Sequence, residues 1–488
     1  VPVKGGETVW VDWDREKHEY LAAVRWDERG PLTIQVQDRK QQELVLLLVD
    51  PETGRTSPLL TERDSAFVNL RQDVPVWLPG GDAFLWITET DAATVLQRRS
   101  RSGGTAQTIA EAGMIQDLTL GPEPGMARFV SLTPAGPSHH HTVSNLLDGE
   151  VRVDAALAST GVGSCAFAKK SWTRVCTATS FDRLPQTWVY GSRGPGSPVE
   201  LPSVARDPGF RPNVRVEQLG GEHGVWTAVV KPGRSVPMGN AWTQSGGGLR
   251  GNYLPPKGTR YPVILDVYGG PRHLSVRPAM RDWLLPQWLA DQGFIVVAVD
   301  NRGTPGRGRA WERPIYQNFG SVPLDDQVRG LKLLAEKHPE MDLDRVGIVG
   351  WSFGGYMSAL AVLKRPDVFK AAVAGAPVTD WEDYDTHYTE RYLGLLPESR
   401  WAYDQASLIP LAGKLERPLL LVHGTADDNV YFRHTLKLTD ALFRAGKDFE
   451  VLPLPSLTHM VPDPVVTERL WTRVARHFEE HLGEPAAK

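Results

Sequence analysis

A serine hydroxyl is a poor nucleophile at neutral pH; it needs a base to take its proton and an acid to orient that base. Three stretches of this sequence offer such a set. Gly350-Trp351-Ser352-Phe353-Gly354 follows the apolar run Val346–Val349 and precedes a helical segment that begins near Gly355. Glycines on both sides of the serine suit a tight strand-to-helix turn, where other side chains find no room. Further on, the apolar run Leu419–Val422 leads into His423-Gly424-Thr425-Ala426-Asp427-Asp428-Asn429, and Glu450–Leu454 leads into Pro455-Ser456-Leu457-Thr458-His459. A carboxylate and an imidazole thus each follow a strand-like run. His459 has the order and the position of the base, whereas His423 precedes the acid and His387 and His434 fall in helical or loop surroundings. Spacing alone does not separate Asp427 from Asp428 as the acid.

The elements that must position these groups form a C-terminal half in which strands alternate with helices. Strands are expected at Pro262–Val267, Phe294–Val299, Val346–Val349, Ala371–Ala374, Leu419–Val422 and Glu450–Leu454, and helices at Leu324–Lys337 and His434–Ala445. This alternation predicts a doubly wound, mostly parallel sheet covered on both faces. Together with the serine turn it reads as an α/β-hydrolase domain, in which nucleophile, acid and base follow in that order at strand carboxyl ends. Val466, Leu470, Val474, Phe478 and Leu482 share one face of a last helix, which is expected to pack within the domain.

The first half has a different periodicity. Up to about Arg234 it reads as short strands between turn clusters, without an amphipathic helix. Apolar runs at Glu43–Asp50, Ala83–Thr88, Ala127–Leu132 and Thr173–Thr179 recur at roughly the 40–45 residues of a propeller blade. They predict radial repetition of four-stranded units, with a β-sandwich as the alternative. A Gly-rich stretch, Gln244–Gly248, precedes the change of pattern, so the expected division is a partial β-propeller with its linker over 1–250 and a hydrolase domain over 251–488. A length of 488 residues suits two cores.

Composition narrows the partners. The balance of 54 basic and 58 acidic side chains, a net charge of −4, gives no electrostatic case for nucleic acid or an anionic membrane. No stretch approaches the roughly 20 apolar residues of a membrane helix. Two cysteines, Cys165 and Cys176, exclude a disulfide scaffold and a four-thiolate zinc site, and their spacing does not predict a disulfide between them. His139-His140-His141 reads as part of the Pro/Gly/Ser loop around Pro134–Ser138, with no carboxylate or cysteine at ligand spacing. No metal and no cofactor are therefore expected. The chain starts at Val1 without a signal-like segment, which leaves a periplasmic, secreted or cytoplasmic setting open, as it does a homodimer.

Several stretches are longer than a generic hydrolase signature: Leu265-Asp266-Val267-Tyr268-Gly269-Gly270-Pro271, the turn Gly350–Gly355, Ala376-Pro377-Val378 through Trp381 to Tyr384-Asp385, Tyr388-Thr389-Glu390-Arg391-Tyr392, and His423–Val430. They resemble the dipeptidyl peptidase IV branch of the prolyl oligopeptidase family, over the second half and more faintly over the first. The resemblance implies Ser352 as nucleophile, Asp427 as the acid and His459 as the base. It implies an oxyanion hole from the Tyr268 hydroxyl and the Phe353 backbone N–H. Val378, Trp381, Tyr384, Tyr388 and Val430 would line a pocket for a proline or alanine side chain, and Asn429 would hold the substrate's main-chain carbonyl.

The implied activity is that of a serine exopeptidase acting on peptides with a free N-terminus and releasing dipeptides with penultimate proline or alanine through an acyl-enzyme. A tripeptidyl or acylaminoacyl peptidase would use the same triad. The alternative of a different class is a non-catalytic propeller interaction protein, against which the intact Ser352, Asp427, His459 and Tyr268 stand. Members of this branch clamp the substrate's amino terminus with paired glutamates on the propeller. The first half holds no Glu-Glu; the one adjacent pair, Glu479-Glu480, reads as a solvated helix face. The propeller is accordingly expected to be N-terminally incomplete, with the amine-clamping residues upstream of Val1.

Overall fold

The computed structural model describes all residues except 1–4, 27–29, 147–149, 155–160, 192–197, 222, 234–257, 485 and 488. Its first half forms four antiparallel sheets, each a four-stranded meander in chain order. They comprise β1–β4 (Tyr20–Arg25, Thr33–Gln37, Glu43–Val49, Thr56–Arg63), β5–β8 (Val76–Trp77, Ala83–Glu89, Thr94–Ser100, Gln107–Ala112), β9–β12 (Met114–Leu120, Ala127–Leu132, Ser138–Asn145, Glu150–Asp154) and β13–β16 (Val162–Phe167, Arg174–Ser180, Arg183–Tyr190, Val199–Glu200). These are propeller blades. The apolar runs became inner strands of the blades: Leu44 and Leu46 of β3, Phe84 and Trp86 of β6, and Ala127 and Phe129 of β10 share one core, while in β14 only Cys176 and Ala178 are buried.

Two expectations for this half are corrected. The three histidines do not lie in a loop but in β11, where the strand's two-residue period separates them. His141 stacks on Phe129 at 4.5 Å, while buried His140 faces the other way and brings Nδ1 to 3.2 Å from Cys165 Sγ. A cysteine is therefore close to a histidine after all. Cys165 and Cys176 oppose each other directly across β13 and β14 and are joined by a disulfide. The strand register, which their spacing in sequence does not reveal, makes the pairing.

The second half is built on a nine-stranded sheet: β17 (Val214–Leu219), β18 (Val225–Val230), β19 (Thr259–Asp266), β20 (Ile295–Asp300), β21 (Met341–Trp351), β22 (Phe369–Gly375), β23 (Leu419–Gly424), β24 (Glu450–Leu454) and the short β25 (Ala486–Ala487). The order is β17-β18-β20-β19-β21-β22-β23-β24, with β25 against β19; the strands from β20 to β24 are parallel, and β17 and β18 run antiparallel. The sheet thus starts with two strands that lie before the expected division at residue 250. They form a plain hairpin without intervening helices, which is why they resemble blade strands in sequence. Gln244–Gly248 and the division itself lie outside the described residues.

Eight α-helices are described: α1 (Leu284–Asp291), α2 (Arg309–Glu312), α3 (Val322–Lys337), α4 (Phe353–Lys364), α5 (Thr386–Leu393), α6 (Arg400–Ala406), α7 (Arg433–Arg444) and α8 (Pro464–Leu482). Alternate residues of β19 feed the cores on the two faces of the sheet. Val263 and Leu265 join Leu331 of α3 and Met357 and Leu360 of α4. Ile264 joins Leu289 of α1 and Leu470, Val474, Phe478 and Leu482 of α8. Helix α8 therefore packs inside the domain, as its spacing predicts. Among the described residues no helix is long and apolar enough to cross a membrane.

Candidate active site

Tyr268, Ser352, Asp427 and His459 each follow the carboxyl end of a parallel strand, β19, β21, β23 and β24 respectively. In an open parallel sheet this is the edge where loops can meet over one site.

Ser352 links β21 to α4 with φ 61° and ψ −118°. A side chain held at positive φ is strained by on the order of 1 kcal/mol or more, and the surrounding structure must enforce it. Ser352 N–H donates to the Gly375 carbonyl at 2.9 Å, and the Ser352 carbonyl accepts from Tyr356 N–H at 2.9 Å. The flanking glycines admit a close neighbour: a Cβ at Gly350 or Gly354 would come within 2.2 or 2.1 Å of the Val267 carbonyl oxygen. The turn is thereby pressed against the strand end that carries Tyr268.

The two adjacent aspartates are separated by burial. Asp428 is exposed, whereas the side chain of Asp427 is fully buried. Asp427 Oδ1 accepts from the N–H groups of Asn429 at 3.0 Å and Val430 at 2.9 Å, and Oδ2 lies 2.8 Å from His459 Nδ1. Burial raises the pKa of this carboxyl, but the hydrogen bonds from His423, His459 and the Asn429 backbone outweigh it and hold the group well below the usual carboxylate range. An ionised Asp427 fixes the proton of His459 on Nδ1 and leaves Nε2 free to act as a base. Among the described residues no hydrogen bond joins Ser352 Oγ to the His459 ring.

His423 is a contributor that the order of residues in the chain passes over. It is fully buried, with Nε2 2.8 Å from the Val430 carbonyl and 3.2 Å from Asp427 Oδ2. Two acceptors around Nε2 require the proton there, so Nδ1 accepts from the Thr435 hydroxyl at 2.8 Å. The imidazole thus buttresses both the acid and the turn carrying Val430. Trp351, beside the serine, is a second: its Nε1 donates to the His459 carbonyl.

Tyr268 stands over Phe353 with ring centroids 6.0 Å apart. Burial, with smaller contributions from Tyr384 and Tyr392, pushes its pKa up to about 12, so the hydroxyl stays a neutral donor at physiological pH. Phe353 opens α4, where backbone N–H groups lack intrahelical partners and the helix dipole favours negative charge.

The aromatic residues form a compact cage. Trp381 and Val378 are buried; Tyr388 stacks on Trp381 at 6.2 Å, and Tyr384 meets both edge-on at 5.8 and 5.4 Å. Phe353 lies 5.6 Å from Trp381, which joins the cage to the serine turn. The Tyr384 hydroxyl donates to Asn429 Oδ1 at 3.2 Å, and Val430 is buried beside it. Asp385 caps α5 by accepting from Tyr388 N–H at 2.7 Å.

The propeller grips this wall from outside. Gln41 Nε2 donates to the His387 carbonyl at 2.6 Å, and Arg39 Nε donates to Glu390 at 2.8 Å. Buried Arg391 donates to Gln41 Oε1 at 3.0 Å and Asn69 Oδ1 at 2.7 Å. Asn69 in turn donates to Glu89 and to Glu312, whose neighbour Arg313 reaches Asp64 and Glu89.

Comparison with known proteins agrees with this architecture. Residues 281–485 match the prolyl oligopeptidase family, and residues 1–122 match the dipeptidyl peptidase IV N-terminal region. The chain is 40% identical over 235 residues to dipeptidyl peptidase 8 of Homo sapiens, a stretch covering 47% of this chain and 26% of that protein. It is 32% identical over 238 residues to dipeptidyl peptidase 4 of Sus scrofa, covering 48% of this chain and 31% of that one. These matches span less than a third of the relatives' length. The folds of a putative dipeptidyl aminopeptidase IV from Bacteroides ovatus (TM-score 0.82) and of Porphyromonas gingivalis dipeptidyl peptidase 4 (TM-score 0.80) are similar over 95% of this chain and over 66% and 64% of theirs, each at 23% identity. With the propeller match followed in the same chain by the peptidase match, the chain is similar to the dipeptidyl peptidase IV branch of the prolyl oligopeptidase family of serine peptidases.

Proposed function

We propose that this chain carries the catalytic machinery of an exopeptidase that releases N-terminal dipeptides with proline or alanine in the penultimate position. The observation that carries the reading is the 2.8 Å contact between His459 Nδ1 and buried Asp427, formed beside a serine held at positive φ. Ser352 Oγ attacks the carbonyl carbon of the penultimate residue while His459 Nε2 takes its proton. The Tyr268 hydroxyl and Phe353 N–H stabilise the oxyanion, a contribution of several kcal/mol in such sites. His459 returns the proton to the leaving amine as the C–N bond breaks. Water, deprotonated by the same imidazole, then hydrolyses the acyl-enzyme.

Specificity follows from the cage. Val378, Trp381, Tyr384, Tyr388 and Val430 offer a small apolar recess that fits a pyrrolidine ring or a methyl group and excludes long charged side chains. Asn429, exposed and tethered to Tyr384, is suited to hold a substrate carbonyl. The reaction requires no cofactor. The test is a panel of chromogenic peptides with free and acetylated amino termini. Preference for free Xaa-Pro and Xaa-Ala substrates is the expected result; preference for acetylated substrates or free tripeptides would assign an acylaminoacyl or a tripeptidyl activity instead.

A further inference from the structure

Three side chains converge at the far end of the C-terminal helix, in a cluster with no part in the chemistry above. Glu450 opens β24, and His477 and His481 lie four residues apart on α8. One ligating atom from each falls within 4.8 Å of the others. The two imidazoles are 4.7 Å apart, and His477 Nδ1 is 3.3 Å from Glu450 Oε1. The side chain of His477 is 0% exposed, yet Nε2 finds no hydrogen-bond partner among the described residues. Burying such a group without a partner is costly, and native structures rarely leave it so. Glu450 and His481 are exposed and give an ion access from solvent.

Two histidines at this helical spacing present their nitrogens on one face, and a carboxylate from a neighbouring strand completes an N2O donor set. Imidazole nitrogens favour zinc, copper and nickel over magnesium and calcium. Arg473, which holds the second oxygen of Glu450, orients the carboxylate as outer partners of metal ligands do, while its charge weakens attraction for a cation. We propose that Glu450, His477 and His481 form a binding site for a divalent transition metal, zinc being the case tested, that clasps the start of β24 to the end of α8. The loop bearing His459 joins the other ends of these two elements, so the clasp lies on the side of β24 and α8 away from it.

The experiment is calorimetric titration of the untagged full chain with zinc, accompanied by thermal unfolding and by absorption spectra with cobalt. The expected result is one equivalent of zinc bound and a raised Tm. His481→Ala and Glu450→Gln, both at exposed positions, should each weaken binding about tenfold or more while leaving the Tm without zinc unchanged. A Cys165→Ser/Cys176→Ser variant should bind zinc as before, and the cobalt spectrum should lack a thiolate charge-transfer band. The proposal is overturned if the chain binds no zinc, if His481→Ala and Glu450→Gln bind it as tightly as the parent, or if the cobalt spectrum reports thiolate ligation.

Discussion

The indole Nε1 of Trp351 donates a hydrogen bond to the backbone carbonyl of His459 at 2.7 Å. The residue before Ser352 thereby holds the loop that carries His459, and the indole is itself wedged against Gly375, where a Cβ would come within 2.0 Å of its ring. Trp351→Phe keeps most of the packing and removes the donor. A lost hydrogen bond of about 1 kcal/mol, with some drift of the imidazole, should lower kcat about tenfold and change KM little. Steady-state kinetics on an Xaa-Pro substrate checks this; a change confined to KM would mean that the indole contacts substrate instead.

The cage makes a separate prediction. Tyr388→Ala removes the ring stacked on Trp381 and should reduce kcat/KM for a prolyl peptide by about 10- to 200-fold, the range for lost apolar pocket contacts, while a small ester loses far less. Tyr384→Phe removes only the hydrogen bond to Asn429 and should raise KM a few-fold. Equal losses on peptide and ester would show that these tyrosines support the fold.

The contact between propeller and hydrolase domain carries a pH dependence. Burial, reinforced by Glu89, pushes the pKa of Glu312 up to about 7, against the favourable charge of Arg313 and the hydrogen bond from Asn69. Because its folded pKa lies above its unfolded value, the folded state binds the extra proton. Stability is then greatest below about pH 4.5 with respect to this group and is lost as pH rises through 7, by on the order of 3 kcal/mol. Glu312→Gln should be more stable than the parent at pH 8 and no more stable at pH 4.5, as measured by denaturant unfolding. A difference that stays constant with pH would contradict a proton on Glu312.

The sequence makes the peptidase half legible because buried parallel strands read as unbroken apolar runs and their helices as regular stripes. In the blades only the inner strands stand out; β5 and β16 are two residues each and carry no pattern. The hairpin of β17 and β18 looks like blade material because antiparallel strands need no helix between them. Three identical histidines hide the alternation of β11. The choice between Asp427 and Asp428 rests on a turn that buries one carboxylate and exposes the next, which neighbouring positions in a chain cannot express. His423 acts only through hydrogen bonds to that turn, so its chemistry has no signature of its own.

Reaction with a fluorophosphonate probe followed by peptide mass mapping tests whether Ser352 is a nucleophile activated by His459. The expected result is one adduct, on Ser352, formed rapidly in the parent chain and at least about a thousandfold more slowly in His459→Ala, with turnover abolished in Ser352→Ala. An adduct on another residue, or undiminished turnover in Ser352→Ala, would contradict it.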